Sequence, residues 1–147
     1  MGETLKDRLR VDLNVARRER DRLRTLVLTT TLADVRNREI ELGHELSDDE
    51  TVEVIQRAIK RRREAAEQMR AGGRPELAER EELEAEILSA YLPAALTEAE
   101  VRALIREAIG GGARTLGAVM AAVMPQIRGR FDGREANRIA REELGVT

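Results

Sequence analysis

Four arginines near the C-terminal end offer the clearest binding chemistry in this chain. Arg134, Arg138 and Arg141 fall at i, i+4 and i+7, and so share one face of any helix that begins after Asp132, with Arg130 in the preceding turn. Guanidinium groups in such a row can track a phosphate backbone. Gly129 and Gly133 would let that backbone approach closely, and free amides at the helix start would favour an anion. A second reading fits equally: a solvated face pairing with Glu135 and Glu142, with the glycines only making a tight turn.

The other chemistry-bearing residues favour structure over ligand. Lys60-Arg61-Arg62-Arg63 is a run of four cations, but successive helical residues fan through roughly 300° of the axis and cannot all meet one ligand. Arg62 falls on an apolar stripe, which predicts partial burial and a carboxylate partner such as Glu84. His44 is the only histidine and sits beside Gly43, a placement that fits a turn residue better than a general base. Glu79, Glu81, Glu82, Glu84 and Glu86 are at helical spacing, as expected of a solubilising surface rather than a metal site. There is no cysteine, which removes thiol chemistry and the usual zinc sites. No catalytic residue, metal or cofactor is assigned. Tyr91 and Phe131 are the only aromatic residues, so there is no platform for stacking several unpaired bases. Any RNA recognition should therefore be by shape and phosphate, with Tyr91 serving the core.

The total charge of −2 conceals an uneven distribution. Residues 1–38 carry net +4, residues 39–100 net −9, and residues 101–147 net +3. Basic ends around an acidic middle are compatible with a polyanion partner, although charged helix surfaces are commonplace. The N-terminal segment is charged throughout, with neither a signal-peptide core nor a long apolar run anywhere, so a cytoplasmic protein is expected, without membrane association.

The elements that must position these residues are helices. Leu5, Leu9, Leu13 and Ala16 mark a first amphipathic helix, and Leu23, Leu26, Val27, Thr30, Ala33 and Ile40 a second. Ser47-Asp48-Asp49-Glu50 forms a capping box for a long helix ending near Ala71, stopped by Gly72-Gly73. Pro75 opens a fourth helix bearing Leu77, Leu83, Ile87, Leu88 and Tyr91. Thr97 and Glu100 box the fifth, Thr115 caps a sixth over Leu116 to Met124, and Asp132 with Glu135 caps a seventh through Leu144. The expected architecture is all-α: an N-terminal domain of about four helices over residues 1–93, and a three-helix module over 94–147.

Gly117-Ala118-Val119-Met120, Pro125 and Gly129-Arg130-Phe131-Asp132-Gly133 resemble the signature of the GatB/YqeY family. Arg22-Leu23-Arg24-Thr25-Leu26, Asn37-Arg38-Glu39-Ile40, Gly73-Arg74-Pro75-Glu76-Leu77-Ala78 and Tyr91-Leu92-Pro93 resemble further family segments in the same order. The resemblance implies a helical protein whose C-terminal module is similar to the tail of the B subunit of tRNA-dependent amidotransferases. It implies tRNA, or a tRNA–protein complex containing amidotransferase subunits, as the partner. On this basis Arg114, Gly117 and Arg128 join Gly129, Arg130, Gly133, Arg134, Arg138 and Arg141 as candidate RNA-binding residues. Ala118 departs from the pattern, standing where a lysine commonly follows the glycine, as does Phe131, where a small residue is usual. The expected function is RNA binding without catalysis by the chain alone. The alternatives are an accessory role in glutamine-dependent carbon–nitrogen ligation and a helical protein-interaction module.

Overall fold

In a computed structural model of the protein, residues 3–146 are described. They form seven α-helices and no strand: α1 Leu5–Arg18, α2 Arg22–Leu42, α3 Asp48–Ala71, α4 Pro75–Ser89, α5 Glu98–Gly110, α6 Leu116–Ile127 and α7 Gly133–Leu144. Two compact units divide between Leu92 and Pro93, with α1 to α4 in unit 1 and α5 to α7 in unit 2.

Local chemistry sets most helix boundaries. The Ser47 hydroxyl accepts from the Glu50 amide at 3.2 Å while the Glu50 carboxylate accepts from the Ser47 amide at 3.0 Å, closing the expected capping box. Thr97 and Glu100 repeat it on α5, and Thr4 with Asp7 supplies a third on α1. α3 runs for 24 residues, about 36 Å, before the glycine pair, and Gly73 at φ +76° turns the chain into α4. α6 continues to Ile127, past the expected end near Met124, because Pro125 lies close enough to the C-terminus for the last turn to close around it. The Arg128 amide still reaches the Met124 carbonyl at 2.9 Å.

Unit 1 is organised around the α3–α4 hairpin, with α1 and α2 packed on it. Its core joins Leu9 and Leu13 of α1, Leu28 of α2, Ile55 and Ile59 of α3, Leu88 and Tyr91. The Tyr91 hydroxyl donates to Asp12, and the Arg8 guanidinium lies 5.4 Å from the ring centroid. Burial and the hydrogen bond to that carboxylate push the phenol well above its ordinary pKa. Arg62 sits against Glu84 at 3.4 Å, with only 11% and 10% of the two side chains exposed, which is the pairing expected from the stripe. Its Nη1 donates to the Ala58 carbonyl, whereas the buried Nε–H makes no hydrogen bond. The Glu84 contact is therefore an ion pair without a directed bond.

Two expected faces are corrected. On α2 the buried residues are Val27, Leu28, Thr31 and Val35, whereas Leu26 is 48% and Ile40 71% exposed. Apolar residues occur all round this helix, so spacing alone leaves its phase undetermined; packing selects the face. On α4 the buried face is Ala78, Glu84, Ala85 and Leu88, and Leu77 and Leu83 point outward. Small alanines let α4 lie close to α3, and that close approach outweighs burial of the larger leucines. Lys6 lies beside the Leu5–Leu9–Leu13 stripe, and nothing in its type or spacing marks it for burial. It is buried, donating to Glu39 at 2.9 Å, and Glu39 also accepts from the Leu46 amide at 3.0 Å, tying α1 to the α2–α3 connection.

Candidate nucleic-acid interface

Unit 2 closes on a core of Val101 and Ile105 from α5, Val119, Val123 and Ile127 from α6, and Ala136, Ile139 and Ala140 from α7. At 100° per residue the buried α7 positions centre on one side, while Arg134, Arg138 and Arg141 span only about 60° on the other. All three are exposed. Together with Asn137, Glu142 and Val146 they line an open recess of about 450 Å³.

The members of this row differ in what they hold. Arg138 donates to Glu142 at 2.6 Å, to Glu135 at 3.0 Å and to Glu98 at 3.2 Å. Its carboxylate partners, Glu135 first, raise its pKa further. Beside it Arg102 reaches Glu143 at 2.8 Å, Glu142 at 3.0 Å and Glu98 at 3.1 Å, and Arg106 reaches Glu143 at 3.0 Å. This network joins α5 to α7. Hydrogen bonds from Arg102 and then Arg138 hold Glu98 below the ordinary carboxylate range, Arg102 lowers Glu142, and Arg106 with Arg102 lowers Glu143. The side chains of Arg134 and Arg141, by contrast, make no ion pair or hydrogen bond among the described residues.

Arg130 does not extend the row as a free cation. Its Nε donates to the Ala94 carbonyl at 2.9 Å and its Nη1 to the Gln126 carbonyl at 3.4 Å, while its own carbonyl accepts from the Leu96 amide at 2.8 Å. It pins the segment leading into α5 onto the α6–α7 turn. Gly129 lies in that turn at φ +76°, where a side chain is strained. A Cβ at Gly133 would instead rest 3.6 Å from the Met124 side chain, and one at Gly117 would meet nothing within 4 Å. Two of the amides at the start of α7 are not free for an anion either: Asp132 Oδ1 accepts from Arg134 at 2.7 Å and from Glu135 at 3.4 Å. Glu135 turns to Arg138 rather than completing a capping box.

Arg114 and Gly117 lie at the start of α6 and Arg128 at its end, and none of them lines the α7 recess. In unit 1, Arg61 pairs with Asp34 at 2.6 Å, Arg62 faces Glu84, and Lys60 and Arg63 are exposed. That run is not assembled into one site. His44 is exposed in the turn after α2, with Nδ1 2.8 Å from the Glu45 carbonyl oxygen. Among the described residues no helix is long and apolar enough to cross a membrane.

Fold and site together define an all-helical protein of two units, the second presenting a basic helix face opposite its core. The chain belongs to the YqeY-like family, whose model, described as Yqey-like protein, matches residues 6–144. Comparison with curated proteins returns no match.

Proposed function

We infer that unit 2 binds the phosphate backbone of tRNA through the outer face of α7, within a cytoplasmic protein that catalyses no reaction by itself. The observation that carries this reading is the pair of exposed guanidiniums at Arg134 and Arg141, without a partner among the described residues and set seven residues and about 10 Å apart along one helix face. Two phosphates of one strand fall within that reach. Arg138 between them is already neutralised by carboxylates and serves mainly to fasten α7 to α5. The likeness of the three-helix module to the tail of the amidotransferase B subunit supports tRNA over other polyanions, and makes a tRNA–amidotransferase complex the natural setting for an accessory role in carbon–nitrogen ligation.

The test is binding of purified chain to tRNA by fluorescence anisotropy over a range of salt concentrations. Binding that weakens linearly in log–log form as salt rises, and that falls on Arg134→Ala with Arg141→Ala, is expected. Absence of binding at low salt would leave the helical protein-interaction alternative standing.

A further inference from the structure

The turn between α1 and α2 is densely basic. Arg17, Arg18, Arg20, Arg22 and Arg24 occur within eight residues, against Glu19 and Asp21. Asp21 is occupied: it N-caps α2 by accepting from the Arg24 amide at 3.0 Å, and its other oxygen lies 3.5 Å from the Arg24 guanidinium. The remaining four arginines are exposed, and their side chains make no ion pair or hydrogen bond among the described residues.

The backbone gathers these residues into one turn. Past the end of α1 the Arg20 amide reaches the Arg17 carbonyl at 3.2 Å and the Asp21 amide reaches the Ala16 carbonyl at 2.9 Å, the two bonds of a Schellman turn. That turn needs a left-handed residue, for which glycine is favoured. Here it is Arg20, at φ +59°, the one non-glycine with positive φ among the described residues. The chain uses glycine where φ is positive at Gly43, Gly73, Gly112, Gly129 and Gly145. A strained, cationic residue in place of glycine at an unpaired basic corner indicates that its side chain is used.

We propose that the α1–α2 corner is a second phosphate-binding surface, on which Arg17, Arg18, Arg20 and Arg22 grip the backbone of an RNA duplex. Residues 17–22 contain no apolar side chain that could insert into a lipid interface, which favours nucleic acid over a membrane surface. Clustered guanidiniums suit paired phosphate oxygens, and residues 17–22 include no aromatic ring for reading bases, so binding is to the backbone and independent of sequence. The choice of RNA rests on the reading of α7, but the corner stands on its own residues.

Three variants of the full chain are assayed against a fluorescent RNA hairpin of arbitrary sequence and against vesicles of anionic lipid: Arg17→Ala with Arg18→Ala and Arg22→Ala, Arg20→Gly, and Arg134→Ala with Arg141→Ala. The corner triple variant should weaken hairpin binding about tenfold or more at moderate salt and flatten the salt slope by about two to three, while α7 is intact. Arg20→Gly should raise Tm by about 3 °C, since the turn then holds its favoured residue, and yet weaken binding severalfold. These opposite signs separate a binding role from a structural one. Unchanged affinity in both corner variants, with loss only in the α7 variant, would overturn the corner and leave the α7 reading intact. Loss only in the corner variants would support the corner and sink the α7 reading. Wild-type binding to vesicles but not to the hairpin, or to neither, would overturn the corner as an RNA surface.

Discussion

Arg134 and Arg138 are near neighbours on one helix face, yet the geometry assigns them different work, and a salt titration can separate them. Each duplex phosphate neutralised contributes about −0.9 to the slope of log K against log salt. Arg134→Ala with Arg141→Ala removes the two cations of this face that have no partner among the described residues, and should flatten that slope by about 1.8. Between roughly 50 and 200 mM salt the wild type should then lose about tenfold more affinity than the variant. Arg138→Ala removes a cation already shared among Glu98, Glu135 and Glu142, so its slope should stay near that of the wild type while unit 2 becomes less stable. The reverse manipulation is more demanding. Replacing Glu98, Glu135 and Glu142 together by glutamine frees Arg138 and should steepen the slope by about 0.9. Anisotropy titrations with one tRNA, at constant pH and temperature, provide all four slopes. If Arg138→Ala flattens the slope as much as the Arg134 and Arg141 pair does, ion pairing does not withhold Arg138 from RNA and the assignment of roles is wrong.

Other perturbations probe the fold that carries the site. Glu98, Glu142 and Glu143 have folded pKa values lowered from 4.5, so their contribution to stability is complete above the ordinary glutamate range and is lost as pH falls through the depressed values. Thermal melts followed through the Ile105 and Ile139 methyl signals should show unit 2 weakening on acidification below about pH 4.5, and a flat profile there would contradict the network. Ile105→Ala opens a cavity at a fully buried position and should cost about 2–5 kcal/mol, unfolding unit 2 while the Ile55 and Leu88 signals of unit 1 remain dispersed. Simultaneous loss of both sets would show that the units do not fold separately. Arg62→Ala leaves Glu84 with Arg80, 3.8 Å away, as its one ion-pair partner among the described residues, and should destabilise unit 1 by about 3 kcal/mol in chemical denaturation. Arg62→Met with Glu84→Leu should recover most of that loss, since an apolar pair needs no charge compensation.

Helix number, order and most boundaries were legible in the chain because capping is local chemistry. Ser47 with Glu50, Thr97 with Glu100 and the Asp132 cap act within four residues, and Pro75 and Gly72-Gly73 act through their own backbone preferences. The Arg62–Glu84 pair could be anticipated because a charge on an apolar stripe must find compensation. The clustering of Arg134, Arg138 and Arg141 followed from the 3.6-residue period alone. Three-dimensional packing decided what periodicity could not. α2 is apolar on several sides, so only its neighbours choose Val27, Leu28, Thr31 and Val35 over Leu26 and Ile40. The distinction between paired and free arginines belongs to the tertiary structure as well, since Glu98 lies 40 residues from Arg138, and Ala94 36 residues from Arg130. An arginine's readiness to hold a phosphate depends on which carboxylates and carbonyls the fold brings within about 3 Å of it, and those partners come from parts of the chain that local spacing does not connect.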